Sequence, residues 1–471
     1  MKMNKSKLIL GALSLGLLAA PSLSAEEYVT KEEFLQLQKQ MQTLSQQLQT
    51  AQQQVASNRM AKEEFEALEK KMADVEMTWD NWLSRDMQYY RQPGKEGINV
   101  FEAPKETDVA FDGVKVRIGG ASTLQFQGLT QDNDSGGLKS LTNNFNLATA
   151  NLDLDVALAE GVRMHLRTYL SSQHHPEAWV KGGYLQVDSL DFVQEGFLAG
   201  LMENVRIKVG HMEINYGDNH FRRTDNADSM YNPFVGNYIM DSFTTEVGAE
   251  VYYFCDDFFG MVGVSNGNLN QSSADPGVAN EPSYVGKLGY DAQLTEDLRV
   301  RLTGSVYASF NSAAQYLYDG DRSGSRYYNV MEGSFRSGRF APGFDNELVA
   351  IMVNPFVKYK GLEIYGVLET VSGAKGDADY SANQYAAEVL YRFGENERFY
   401  IGGRYNLVDA ELATGEDVEI DRINLGGGWF ITDNVLAKIE YVTQSYDGFP
   451  EGSIYDGGEF NGIMLEGAIS F

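Results

Sequence analysis

The strongest constraint on the fold is a residue period of two. In the final stretch, Ile463-Met-Leu-Glu-Gly-Ala-Ile-Ser-Phe471, the side chains of Ile463, Leu465, Ile469 and Phe471 fall on one side, and those of Glu466, Ala468 and Ser470 on the other. That is the pattern of a strand with one face in an apolar medium. Similar segments recur from Gly113 onward, about sixteen in all: 113–129, 144–159, 161–171, 180–190, 205–217, 242–254, 258–266, 283–293, 298–310, 348–360, 362–372, 383–393, 398–408, 419–431, 435–444 and 461–471. Their connections alternate between tight turns, such as Glu160-Gly161 and Asp256-Asp257, and long polar stretches, the longest from Asn311 to Glu347. The segment from Asp191 to Asn204, with Phe192, Phe197 and Leu201, is too long for a turn and suits a short helix.

After the leader, no segment has the length and apolarity of a membrane-spanning helix, and the mean hydropathy is -0.33. Yet the chain carries 48 Gly, 27 Tyr and 25 Phe against only 10 Pro. An antiparallel transmembrane β-barrel reconciles these facts, because only alternate residues of each strand need to face lipid. The expected fold is therefore all-β, a barrel of about sixteen strands over residues 113–471, preceded by a helical region. Short turns at one end and long loops at the other place the short-turn end in the periplasm. Tyr253, Phe254, Phe258, Phe259, Tyr359, Phe393, Phe399, Trp429 and Phe471 all fall at that end, as an interfacial girdle would.

The N-terminus predicts export. Lys2, Lys5 and Lys7 precede an apolar run from Leu8 to Ala20, followed by small residues near Ser24 and Ala25. Residues 1–25 thus read as a signal peptide, too short to span a bilayer. Cys255 is the single cysteine, so no intramolecular disulfide forms, and a small buried thiol is expected. The formal charge of -28 excludes non-specific nucleic-acid binding, which depends on basic side chains.

Residues 26–91 predict a periplasmic coiled coil. Phe34, Leu37, Met41, Leu44, Leu48, Ala51 and Val55 keep heptad spacing, and Thr30 with Glu33 forms a capping box. Lys31-Glu-Glu-Phe34 recurs as Lys62-Glu-Glu-Phe65, opening a second seam through Leu68, Met72, Val75, Trp79 and Trp82. The repeat offset is not a whole number of heptads, so the seam must stammer near Asn58. Residues 92–112 read as a linker.

If apolar residues face lipid, the alternate positions face the lumen. The basic lumen positions are Lys115, Arg117, Arg163, Arg167, Arg206, Lys208, Arg299, Arg301, Arg392 and Arg404, most of them near the short-turn end. A change of parity around Gly210-His211 predicts a β-bulge. Two meanings stay open: a basic vestibule that attracts anions, or charges paired across strands that merely keep the interior wet. Acidic outer loops, including Asp409, Glu411, Asp417, Asp447 and Asp456, could hold weak Ca2+ shared with lipopolysaccharide; otherwise no cofactor and no resident metal site is expected.

This arrangement resembles the general trimeric porins of Gram-negative outer membranes. The added coiled coil looks more like phosphate-selective and dicarboxylate-type porins. In sixteen-stranded porins the third loop folds into the lumen; the resemblance therefore implies a constriction at Arg222, Arg223, Asp225 and Asp228, within the stretch 218–241. It also implies a homotrimer in contact with lipid and lipopolysaccharide. The expected function is passive diffusion of small hydrophilic, including anionic, solutes, without enzymatic chemistry. The alternative is a structural protein that tethers the envelope, its coiled coil binding peptidoglycan or a periplasmic protein. Gly263-Val-Ser-Asn-Gly267 matches a nucleophile elbow only as a string, since it leads from strand to loop. Asp319-Gly-Asp-Arg-Ser-Gly324 lacks the twelfth-position Glu of a calcium loop, and His174-His175 are neighbours that cannot easily share one ion.

Overall fold

The computed structural model describes residues 31–55, 67, 69–71, 86–170, 178–224, 228–267, 281–310, 316–318, 327–332, 338–345 and 347–471. The chain divides between Asn81 and Trp82 into two compact units. In the first, α1 (Lys31–Val55) is one continuous helix in which Met41 and Leu44 are half-buried among exposed polar neighbours. Thr43 and Thr50 return their hydroxyls to the carbonyls of Lys39 and Gln46. The leader, Thr30 of the capping box and the second apolar seam lie outside the described residues, as do His174-His175 and the loop opening at Asp319.

The second unit is a closed sixteen-stranded antiparallel barrel in which every strand pairs with its sequence neighbours and β1 pairs with β16. The strands are β1 (Lys115–Asp132), β2 (Asn144–Ala159), β3 (Val162–Leu170), β4 (Ala178–Val187), β5 (Val205–Glu213) and β6 (Thr245–Cys255). They continue with β7 (Phe258–Ser265), β8 (Ser283–Gln293), β9 (Leu298–Ser309), β10 (Leu348–Tyr359) and β11 (Leu362–Lys375). The rest are β12 (Ala378–Phe393), β13 (Phe399–Glu411), β14 (Asp417–Thr432), β15 (Val435–Asp447) and β16 (Glu459–Ser470). Ala121 stands opposite Ser470 at the closing seam, so no strand edge is left open. Between β4 and β5 the chain makes one helical turn, α2 (Ala199–Met202).

Alternation decides the two faces. Ile118, Leu152, Leu185, Val209, Val251, Val262, Leu288, Leu302, Ile364, Ile401, Leu425, Ile439 and Leu465 are exposed on the outside, an apolar band suited to lipid. Their strand neighbours Arg117, Asp153, Arg206, Lys287, Glu363, Arg404 and Glu440 are buried inside. At the short-turn end Phe393, Phe399 and Trp429 stack in series, with ring centroids 5.7 and 6.2 Å apart. Phe254 and Phe259 depart from the expected girdle, packing inward beneath the guanidinium groups of Arg206 and Arg301.

Several expectations are corrected. Within the 92–112 linker, residues 92–105 pack at the short-turn end of the barrel, with Phe101 3% exposed, whereas Glu106, Asp108, Ala110 and Asp112 are exposed. The sixth and seventh connections are short because β11–β12 and β13–β14 extend outward, where Tyr380 packs on Phe344 of the fifth loop at 4.7 Å. No register shift occurs at Gly210-His211, whose pairing continues evenly on both sides. The shift falls instead between Arg167 and Thr168, opposite Gly182 and Val180, so Lys181 is the extra residue. Cys255 is exposed rather than buried, because it sits at the edge of the β6–β7 turn.

Candidate functional site

The third loop, residues 214–244, folds into the lumen, and its backbone explains how it is held there. Apart from a 3-10 turn at Asn219–Arg222, this buried segment has no regular structure, so its peptide groups must find other partners. The barrel wall supplies them through side chains. Gly217 N–H donates to Ser305 Oγ (2.8 Å) and Asp218 N–H to Asn354 Oδ1 (2.9 Å). Val235, Ile239 and Met240 donate to Glu440, Asn406 and Gln384 at 2.7 to 2.8 Å. Lys438 Nζ donates to the carbonyls of Ser229, Asn232 and Phe234, and also meets Glu466. Asn354 is turned inward beside Pro355, where the ladder to β11 skips, and its Nδ2 donates to Gly366 O. At the loop's entry Gly217 takes φ +66°, and a Cβ there would meet Met352 Sδ at 2.2 Å.

Two buried charge clusters lock the loop to the wall. Arg301 of β9 forks onto Asp218, Nε to Oδ2 and Nη2 to Oδ1 at 2.9 Å each, while Lys287 of β8 reaches the same carboxylate at 2.7 Å. Burial pushes the Asp218 carboxyl up, but Arg301 and Lys287 outweigh it and hold it well below the usual range. Around Arg222, Glu363 accepts at 2.7 Å and Glu388 at 2.5 Å; Arg392 and Arg404 then join those glutamates at 2.9 and 2.7 Å. Arg223 pairs with Asp241 within the loop and covers the Phe243 ring. Both arginines are thus buried in pairs between the loop and the barrel wall or within the loop. Asp228 lies on the cavity side, and Asp225 is outside the described residues.

The fifth loop adds to the filling. Tyr318 donates to Glu369 and Tyr327 to Glu440, both at 2.7 Å, and Phe340 N–H donates to Ile239 O of the third loop. The two loops therefore reach both the β9–β15 wall, at Ser305, Asn354, Gln384, Asn406 and Glu440, and β1, at Gln127. A cavity of about 180 Å3 remains against β1–β6. Its lining carries Arg91, Arg117, Arg163, Arg167, Lys181, Arg206 and Lys208 against Glu102, Asp153, Glu213 and Asp228.

These basic groups are spaced and aimed by partners set behind them. Asp155 serves Arg117 (3.1 Å), Arg163 (3.3 Å) and His165 (2.7 Å) at once, so one carboxylate faces three basic groups. Arg167 forks onto Asp153, Arg206 meets Asp188 at 2.8 Å, and Lys208 meets Glu250 at 3.6 Å. Tyr90 lies beneath the guanidinium groups of Arg117 and Arg163, and Tyr184 beneath the ammonium of Lys208. On the loop side, burial raises the Asp228 carboxyl to about 8; Arg91 and Arg167 pull it down, while Glu213 and Asp153 push it up.

Of the ten basic positions read from the sequence, Arg117, Arg163, Arg167, Arg206 and Lys208 meet at this cavity. Lys115 pairs with Asp112 at its strand start. Arg299 and Arg392 line a second cavity of about 480 Å3 beside the short turns, and Arg301 and Arg404 are buried in the loop anchors. Sequence reasoning missed Arg91, because 86–91 was assigned to the coiled coil, and Lys181, because a bulge leaves no mark on simple alternation.

The fold is a closed sixteen-stranded antiparallel β-barrel with an apolar outer face and an inward third loop held by charged side chains. Among solved structures the chain is similar to an anion-selective porin from Comamonas acidovorans, at 12% identity over 76% of this chain and 100% of that one, with a TM-score of 0.49. It is also similar to the outer-membrane channel DcaP of Acinetobacter baumannii, at 13% over 77% and 99%, TM-score 0.47. Outer-membrane expressed OmpT of Vibrio cholerae stands at 11% over 77% and 99%, TM-score 0.46. No protein-family model and no curated protein matches the sequence.

Proposed function

We propose that this protein is an outer-membrane diffusion channel for small hydrophilic solutes, with a preference for anions. The observation that carries this reading is the polar cavity that the inward loops leave along the basic wall of β1–β6. Seven lysine and arginine side chains line it against four carboxylates, while Asp155, Asp188 and Glu250 pair with several of them from behind. The basic groups thus face the cavity with their partners set back, and a low-dielectric wall focuses their field along the path of a solute. The apolar outer band supports a membrane location, and the leader read from the sequence supports export. Self-association through α1 as a trimer belongs to the same proposal.

The strongest rival is a tether, in which the barrel only anchors the N-terminal helix. The packing of two loops inside the lumen favours it. Planar-bilayer recording with purified protein separates the two. A channel gives steady conductance and a reversal potential set by chloride in a salt gradient. A correctly folded barrel that passes no current would support the tether.

A further inference from the structure

Residues 86–105 contain neither a strand nor a full helix, yet they make a circuit inside the short-turn end of the barrel. Gln88 bonds Glu160 and Gly161 at the β2–β3 turn, and Lys95 reaches Asp433 O and Asn396 O at the β14–β15 and β12–β13 turns. Asn99 then donates to Glu363 of β11 at 2.8 Å and accepts from Arg299 of β9 through its carbonyl. Lys105 completes the circuit at Asp188 and Val205 O, beside β4 and β5.

Resting on the channel reading, we propose that this strap is a fixed part of the filter: Arg91 and Glu102 set the charge and width of the passage together with the third loop. Three features support it. First, the strap supplies one side of the cavity, facing Arg167 and Lys208. Second, it is seated too firmly to be a swinging lid. Glu102 meets Arg301 at 2.6 Å and Lys287 at 2.8 Å, and Phe101 packs edge-on against Phe221 and Phe356 with Arg301 4.2 Å above its ring. Gly97 comes so close to the third loop that a Cβ would lie 2.5 Å from Tyr231 Oη and 2.3 Å from Gln92 O. Third, Arg91 is aimed. Its guanidinium lies 3.8 Å from the Tyr231 ring centroid, donates to Gly97 O (3.0 Å) and Phe221 O (3.1 Å), and faces Asp228 at 3.9 Å.

The test uses the full chain in planar bilayers and in liposome swelling with sugars of graded size. Heat-modifiable migration checks that each variant is folded. Arg91→Glu should lower the chloride-to-potassium permeability ratio by about twofold or more, because it reverses a charge in a confined polar path. Gly97→Val should unseat the strap and admit larger sugars, whereas Asp108→Asn, an exposed strap-side charge outside the cavity, should match wild type. Native selectivity and native size limit in both folded variants would overturn the proposal. A silent wild type with a conducting Gly97→Val would remove the open-channel reading but keep the strap as the obstruction. Silence in both would overturn the two together.

Discussion

Arg301 and Asp218 form a two-point ion pair, Nε to Oδ2 and Nη2 to Oδ1, each at 2.9 Å, between β9 and the base of the third loop. Lys287 and Glu102 join the same cluster, so loop, wall and strap share a buried junction. Removing the carboxylate leaves two buried cations short of a partner. Asp218→Ala should destabilise the folded barrel by roughly 3–5 kcal/mol, as measured by guanidinium unfolding in detergent. Arg301→Lys keeps the charge but loses the fork, and should cost less. A loss in Arg301→Lys as large as in Asp218→Ala would mean that the fork carries the whole pair, and no loss in Arg301→Lys would mean that its geometry is immaterial.

On the channel reading, the Asp228 carboxyl predicts a pH response with a defined sign. Raised to about 8, it is neutral at pH 7 and gains a negative charge as pH rises through that value. Arg91 and Arg167 then face an additional anion, beside Glu213 and Asp153. Anion selectivity should fall between about pH 7 and 9, where the group's ionisation changes. Asp228→Asn should hold selectivity flat over that range. A wild-type reversal potential independent of pH would show that Asp228 lies off the ion path.

The bulge opposite Arg167 makes a prediction about two adjacent residues. Val180 is exposed outward at 54%, whereas Lys181 is buried inside, lying 5.4 Å from the Tyr169 ring and 5.9 Å from that of Phe243. In a Cys255→Ser background, Lys181→Cys should react with a charged thiol reagent and change the conductance. Val180→Cys should be protected by lipid and leave it unchanged. The reverse pattern would mean that β4 keeps plain alternation.

The helix α1 can be tested for self-association in the full chain. Met41 and Leu44 are its half-buried apolar positions among exposed neighbours. Replacing both with Asn should reduce the trimer recovered after chemical crosslinking in detergent, since heptad contacts depend on apolar seam residues. An unchanged trimer would assign assembly to the barrel alone.

The barrel was legible because its signal is repeated: the inward Arg117 and outward Ile118 of β1 follow the same rule as the inward Glu440 and outward Ile439 of β15. The contents of the lumen were less legible. Gln384, Asn406 and Asn354 look like ordinary pore-wall polar residues, yet they receive the backbone of an inward loop. Nothing local distinguishes such a receiver from a residue facing water. The strap was concealed for a related reason: Gln92-Pro-Gly-Lys-Glu-Gly97 has the composition of a linker, and its order comes from partners hundreds of residues away. Lys181 was hidden by a single extra residue that reverses which face of the sheet it joins.

The strap also constrains how the molecule is made. It precedes β1, and β1 forms the seam with β16, the most distant pairing in the barrel. The strap therefore belongs to the segment that leads directly into one side of the seam, where Ala121 meets Ser470. Seam formation joins the chain's most remote strands and so has a large loop-closure entropy to overcome. Once joined, the seam encloses the strap, and withdrawing it requires breaking the Glu102 and Asn99 anchors. The Glu102 and Asn99 anchors reach Lys287 of β8, Arg301 of β9 and Glu363 of β11, so the strap ties the first strand of the seam to the opposite wall of the cylinder.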